Sequence, residues 1–145
     1  MQSIITKSAK ETQRLAAELA KKFIKNRKNK KALVIALQGE LGAGKTTFIK
    51  GFTRALKVIE KVLSPTFVLI HRHHLKSGDL YHIDAYRLKS EKDLLKLNIK
   101  EIFNNPKNII LIEWADRVKR AIPKTAVWIY FKHINKNKRR ISAQV

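Results

Sequence analysis

The chain has 145 residues, 44% of them hydrophobic and 30% charged, with 32 Lys and Arg against 11 Asp and Glu for a formal net charge of +21. That length suits one domain with one real core, and apolar runs such as ALVIAL (32–37) and NIILIEW (108–114) exclude a disordered chain. The lack of cysteine excludes a disulfide scaffold, thiolate catalysis and Cys-ligated metals.

No apolar stretch approaches the ~20 residues of a membrane span. The N-terminus has no signal-peptide h-region and reads as an amphipathic helix. A soluble, cytoplasmic protein with no membrane contact is expected. The charge leaves two readings open: attraction to a polyanion such as tRNA by counterion release, or a compositional bias toward lysine.

In chain order, Ser8 with Glu11 forms a capping-box pattern ahead of Leu15, Ala16, Leu19, Ala20 and Phe23 at helical spacing. A helix over 9–24 follows. NRKNKK (26–31) is a loop. ALVIALQ (32–38) is apolar on both parities, as a strand covered on both faces should be. GELGAGKTT (39–47) comes next, then a helical pattern to about Leu56.

Residues 57–66 read as a loop. FVLIHRHH (67–74) and LYHIDAYRL (80–88) read as an antiparallel hairpin turning at KSGD (76–79). Short helices are expected over 91–97 and 99–103, a buried strand in NIILIEW and a helical turn over 114–120. TAVWIYFKH (125–133), the basic turn INKNKRR and ISAQV form a second hairpin. The predicted fold is a P-loop NTPase-like three-layer α/β/α arrangement with a mixed parallel and antiparallel sheet, in a single domain over 1–145.

Gly39, Gly44, Lys45 and Thr46 satisfy the pattern G-x-x-x-x-G-K-[ST], between a strand and a helix as the motif requires. Glycines let backbone N–H groups curl around phosphate oxygens. The helix N-terminus favours an anion. Lys45 is placed to bridge terminal phosphates, and the Thr46 hydroxyl to ligate Mg²⁺. Gly42 adds room, and Thr47 either contacts phosphate or starts the helix. The motif implies binding of a nucleoside triphosphate. No N-K-x-D guanine motif is present, so ATP is expected.

Such a site needs an acid. NIILIEW ends in Glu113, where a carboxylate projects at the strand's C-terminal rim to hold Mg²⁺ or position water; the alternative is an exposed acid paired with a lysine. Asp84 is the second candidate, an acid in an otherwise apolar and aromatic strand that faces the metal or pairs with Arg87. His82 shares its face. SPTF (64–67) reads either as a phosphate-sensing loop or as a turn before a strand. His71, His73 and His74 read as a solvated basic strand rather than a metal cluster, since His74 points away from the other two. Trp114 and Trp128 read as core or rim residues.

GELGAGKTT, SPTF, LYHIDAYRL and LIEW, in this order and spacing, resemble the bacterial TsaE (YjeE) family over essentially the whole chain. The resemblance implies an ATPase required to form N6-threonylcarbamoyladenosine on tRNAs that read codons beginning with A, working with the TsaB and TsaD proteins. It also implies that Gly39, Glu40, Leu41, Gly42, Ala43, Gly44, Lys45, Thr46 and Thr47 hold the phosphates, with Thr46 and Glu113 on Mg²⁺. Lys45, Glu113 and Asp84 become the catalytic candidates, and the base is expected near Thr12 and Arg139.

Two other readings compete. A small P-loop kinase would need an arginine lid and a substrate region, for which 145 residues leave little room. A basic nucleic-acid-binding module with a vestigial P-loop would lack ATP dependence.

Overall fold

The computed structural model describes residues 2–28, 30–58 and 69–144. The expected SPTF loop therefore lies outside the described residues. Among the described residues there are seven strands: β1 (Gln2–Thr6), β2 (Leu33–Gly39), β3 (Ile70–Leu75), β4 (Gly78–Asp84), β5 (Ile109–Glu113), β6 (Val127–His133) and β7 (Arg139–Gln144). The helices are α1 (Ala9–Asn26), α2 (Lys45–Ala55), α3 (Glu91–Leu95) and α4 (Ile99–Asn104), with a 3₁₀ segment over Ala115–Ala121.

The strands form one sheet in the order β1-β7-β6-β2-β5-β4-β3. Its centre is parallel: β2 pairs with β5 and β6, and β4 pairs with β5. Both flanks are antiparallel, β3 on β4 at one edge and β6–β7–β1 at the other. The expected mixed α/β sheet is thus observed.

The central strands explain the three layers. In β2, Ile35 and Leu37 join Leu111 of β5 beneath α1 and α2, which contribute Leu15, Ala16, Phe48, Ile49 and Phe52. Val34 and Ala36 point the other way and join Ile110 and Ile112 beneath Leu94, Ile99, Phe103 and Val118. Alternation of side chains gives each face its own core, so these strands are apolar on both parities until Gln38 and Glu113 at their C-terminal ends.

Helix α1 begins as its sequence predicts. The Ser8 hydroxyl accepts from the Glu11 N–H at 3.1 Å, and the Glu11 carboxylate accepts from the Lys7 N–H at 2.7 Å. Helices α1 and α2 lie unusually close at Gly51. A Cβ there would sit 2.3 Å from the Gln13 carbonyl oxygen, so only glycine permits the approach.

Three expectations are corrected. Residues 2–6 are not part of the N-terminal helix but an edge strand, held by pairing with residues 139–143 of β7. The hairpin strand expected over 80–88 runs over Gly78–Asp84 instead. It stops because Asp84 Oδ1 accepts from the Tyr86 N–H at 3.0 Å, turning the chain locally. The hairpin turn is tighter than expected, with only Lys76 and Ser77 between β3 and β4. Among the described residues, no helix is long and apolar enough to cross a membrane.

Candidate active site

The loop between β2 and α2 carries the phosphate-binding pattern, and its backbone takes the curl the pattern needs. Gly42 and Gly44 sit at φ 75° and 103°, where a side chain would be strained. Gly44 then opens α2 without a side-chain cap, leaving the first N–H groups of the helix directed at the loop. Leu41, at the loop's tip, is 85% exposed. Ala43 is buried and its N–H donates to the Glu40 carbonyl at 3.1 Å.

Lys45 turns back under this loop. Its ammonium donates to the carbonyl oxygens of Gly39 and of Glu40, the latter at 2.9 Å. It also lies 4.1 Å from the centroid of the Trp114 ring. Burial pulls the Lys45 pKa below its ordinary value, while Glu113, Asp116, Asp84 and Glu40 partly restore it. Two carbonyls and an indole hold this ammonium directly, with the four carboxylates acting from further off, and it lies beside a helix N-terminus. That arrangement fits a phosphate chain.

The acids converge from the neighbouring strands. Register places Asp84 of β4 beside Glu113 of β5, and Leu37 of β2 on its other side. Both carboxylates therefore sit on the α2 face at the C-terminal rim of the parallel strands. Glu113 is 3% exposed, and the Thr46 hydroxyl donates to its Oε1 at 3.2 Å. A hydroxyl and a carboxylate side by side are the hard oxygen donors that suit Mg²⁺. The expected pairing of Thr46 with Glu113 is thus brought together, and the alternative of an exposed acid on a lysine is not what the fold produces. Burial, above all, raises the Asp84 pKa; Glu113 adds to it and the hydrogen bond from Tyr86 opposes it.

Two residues of this site carry roles the sequence did not assign. His82 is fully buried, and its Nε2 meets Glu113 Oε2 at 2.8 Å. Glu113 is thereby gripped at both oxygens, by imidazole on one and by Thr46 on the other. The available signal was the shared parity of His82 and Asp84 in an apolar strand. Trp114 was expected only as a core or rim residue. It stands at φ 57°, a left-handed conformation costly for a bulky side chain, and packs over Lys45 and against Tyr86, ring centroids 4.9 Å apart.

Beside the loop lies a cleft of about 180 Å³ lined by Ser8, Thr12, Gly44, Thr47, Asn137 and Arg139, among others. The two residues expected near the base, Thr12 and Arg139, both line it. Thr12 is buried with its hydroxyl 2.7 Å from that of Thr6. The Arg139 guanidinium donates to the carbonyls of Asn135 at 2.7 Å and Lys138 at 3.0 Å, while its aliphatic stem passes Gly44.

The histidine strand gathers differently. His74 Nδ1 and the Arg72 guanidinium each meet Asp79 across the hairpin at 2.8 Å. His71 and His73 share a face, with ring centroids 6.5 Å apart.

A sequence profile described as "Threonylcarbamoyl adenosine biosynthesis protein TsaE" matches residues 6–141. The chain belongs to the TsaE family. Among curated TsaE proteins, that of Bacillus subtilis is 37% identical over 109 residues, 75% of this chain and 67% of the relative. That of Rickettsia felis is 31% identical over 137 residues, 94% of this chain and 75% of the relative. The crystal structure of Bacillus subtilis YdiB superposes with a TM-score of 0.75 at 30% identity, covering 97% of this chain and 82% of that one. The TsaE family is named for tRNA threonylcarbamoyladenosine biosynthesis, which agrees with the resemblance drawn from the four motifs.

Proposed function

We propose that this chain is an ATPase of tRNA N6-threonylcarbamoyladenosine formation, in which residues 1–145 form one P-loop domain that uses ATP and Mg²⁺ and acts with TsaB and TsaD. The observation that carries the reading is the meeting of the Thr46 hydroxyl with the buried Glu113 carboxylate, beside a Lys45 ammonium held by two loop carbonyls and an indole. The role in tRNAs that read codons beginning with A rests on the family.

The residues divide the work. Backbone N–H groups of Gly39–Thr47 bind the phosphates, and Lys45 neutralises their terminal charge. Thr46 and Glu113 would hold Mg²⁺, which when bound offsets the charge that develops on the transferred phosphoryl group. Asp84, placed beside Glu113, orders the attacking water or the metal's own waters. Thr12, Thr47 and the Arg139 stem form the slot for base and ribose.

The chain alone is expected to turn over slowly. Arg139 is anchored through Nη1 to carbonyls of the β6–β7 turn, and Arg117 lies 4.9 Å from the Tyr86 ring. A partner that supplies the missing positive charge or closes the cleft would complete the site. Cytoplasmic placement follows from the tRNA substrate.

The test is ATP hydrolysis by the purified chain, alone and with TsaB and TsaD, at physiological salt. Strong stimulation by the partners is the expected result. Rapid turnover on a small hydroxyl substrate without stimulation would replace this reading with a kinase.

A further inference from the structure

The far wing of the sheet carries a second surface, unrelated to the phosphate loop. In the layer of α3, α4 and the 3₁₀ segment, the fully buried core residues include none from β6, β7 or β1, and β6 reaches this core only at its edge, through the partly buried Trp128. On that side β6 presents Trp128 and Tyr130, both partly exposed. Their rings lie nearly parallel, 18° apart with centroids at 6.2 Å. Register places Gln144, Ser142 and Arg140 of β7 on the same face, opposite Trp128, Tyr130 and Lys132. The Tyr130 hydroxyl donates to Gln144 at 3.1 Å, which pins the ring upright.

Charge surrounds this aromatic pair. Lys119 and Lys124 line, with Trp128 and Tyr130, a shallow cleft of about 340 Å³, and the Lys119 ammonium lies 5.9 Å from the Trp128 ring centroid. Residues 117–145 contain nine Lys and Arg and not one Asp or Glu. Compositional bias toward lysine does not by itself clear a segment of acids while placing two stacked aromatics at its centre.

Cations that follow a backbone, with flat rings on which bases stack, are the chemistry of single-strand recognition. We propose that the Trp128–Tyr130 face of β6 and β7 binds an unpaired segment of RNA, with Trp128 and Tyr130 stacking on bases and Lys119, Lys124, Lys132 and Arg140 on phosphates. The site is separate from the ATP reading: it lies on the opposite face of the sheet from α2. Charge complementarity selects a polyanion, and a nucleic acid supplies both the phosphates for the cations and flat bases for the two parallel rings, which an acidic patch of carboxylates does not.

The experiment is titration of a fluorescently labelled, unmodified tRNA transcript with the full chain, across a salt series, with a blunt RNA duplex as competitor. Trp128→Ala and Tyr130→Ala are each expected to weaken binding roughly tenfold, and Trp128→Phe to restore most of it. Lys119→Gln with Lys124→Gln should make the dependence of log affinity on log salt shallower by roughly one unit per lysine. Thermal melting by circular dichroism checks that each variant is folded. Unchanged affinity in folded Trp128→Ala and Tyr130→Ala, or equal competition by the duplex, overturns the proposal. So does loss of binding to TsaB and TsaD with tRNA affinity untouched, which would make this face a protein-docking surface. ATP affinity, measured in parallel, stays constant in these variants, so failure here and failure of the ATPase reading are told apart.

Discussion

The parallel centre of the sheet and its antiparallel wing treat charge in opposite ways. The centre buries a few ionisable groups and gives them close contacts: Glu113 is held by His82 and Thr46, and Lys45 by two carbonyls and an indole. The wing displays many cations at the surface, and from residue 117 onward no acid balances them. Buried groups act at contact distance, where desolvation makes each interaction strong. Exposed ones act together over roughly a Debye length, about 10 Å at 0.1 M salt, and each is individually weak. The centre is therefore sensitive to single substitutions, and the wing to their sum.

Glu113 is the centre's most sensitive position. Glu113→Ala should leave ATP binding within a few-fold and lower turnover by roughly 100- to 1,000-fold, read by single-turnover hydrolysis beside a binding titration. Normal turnover would remove Glu113 from the chemistry. Lys45→Ala should weaken ATP binding by roughly 100-fold, as loss of a charge-assisted contact in a desolvated place. Unchanged affinity by calorimetry would refute the phosphate-loop reading.

His82→Gln sharpens the picture, because the imidazole acts only through Glu113. Groups that orient a metal-binding carboxylate typically matter by about 10- to 100-fold. The expected signature is a higher Mg²⁺ requirement for hydrolysis with ATP affinity in the absence of metal unchanged. Equal loss of metal-free affinity would instead mark His82 as a packing residue.

Asp84 offers a smaller effect of opposite sign. Burial first, then Glu113, holds its folded-state pKa above the ordinary 3.8. The ionised carboxylate therefore opposes folding at every pH above that raised value, and the opposition disappears as pH falls below 3.8. Asp84→Asn should raise the melting temperature at pH 7 by about 1–3 °C, lose that gain in acid, and reduce turnover. A lower melting temperature at pH 7 would contradict the burial argument. At the small end, Lys132→Gln in the wing should change stability by no more than about 0.5 kcal/mol and leave ATP affinity as it was.

Much of the centre is legible from the sequence because its signals are local. A Ser8–Glu11 cap, an apolar strand, a glycine loop and a helix are each written within a few consecutive residues. Where local signals suffice, the fold brings the Thr46 hydroxyl to Glu113, with Lys45 beside them under the loop. The wing is less legible. QSIIT of β1 has only Thr6 buried, and its strand character comes from pairing with residues more than 130 positions away. No window of sequence holds that information. His82 and Trp114 escaped assignment for a related reason. Parity indicates a residue's face, whereas the partner it finds there depends on which strand lies alongside. Nor did LYHIDAYRL reveal where its strand stops, since the stop is an Asp84 side chain bonding its own backbone.

Gly51 reaches further than its place in the middle of a helix suggests. Thr47, one turn before it on α2, lines the same cleft as the N-cap Ser8 and Thr12 of α1, and the Gln13 backbone rests directly against Gly51. The spacing of the two helices at that crossing acts as a caliper for the gap at their ends. Even one methyl group at position 51 would prise the cleft wider without touching any residue that lines it. The geometry of the slot is thus set by an atom the chain does not have.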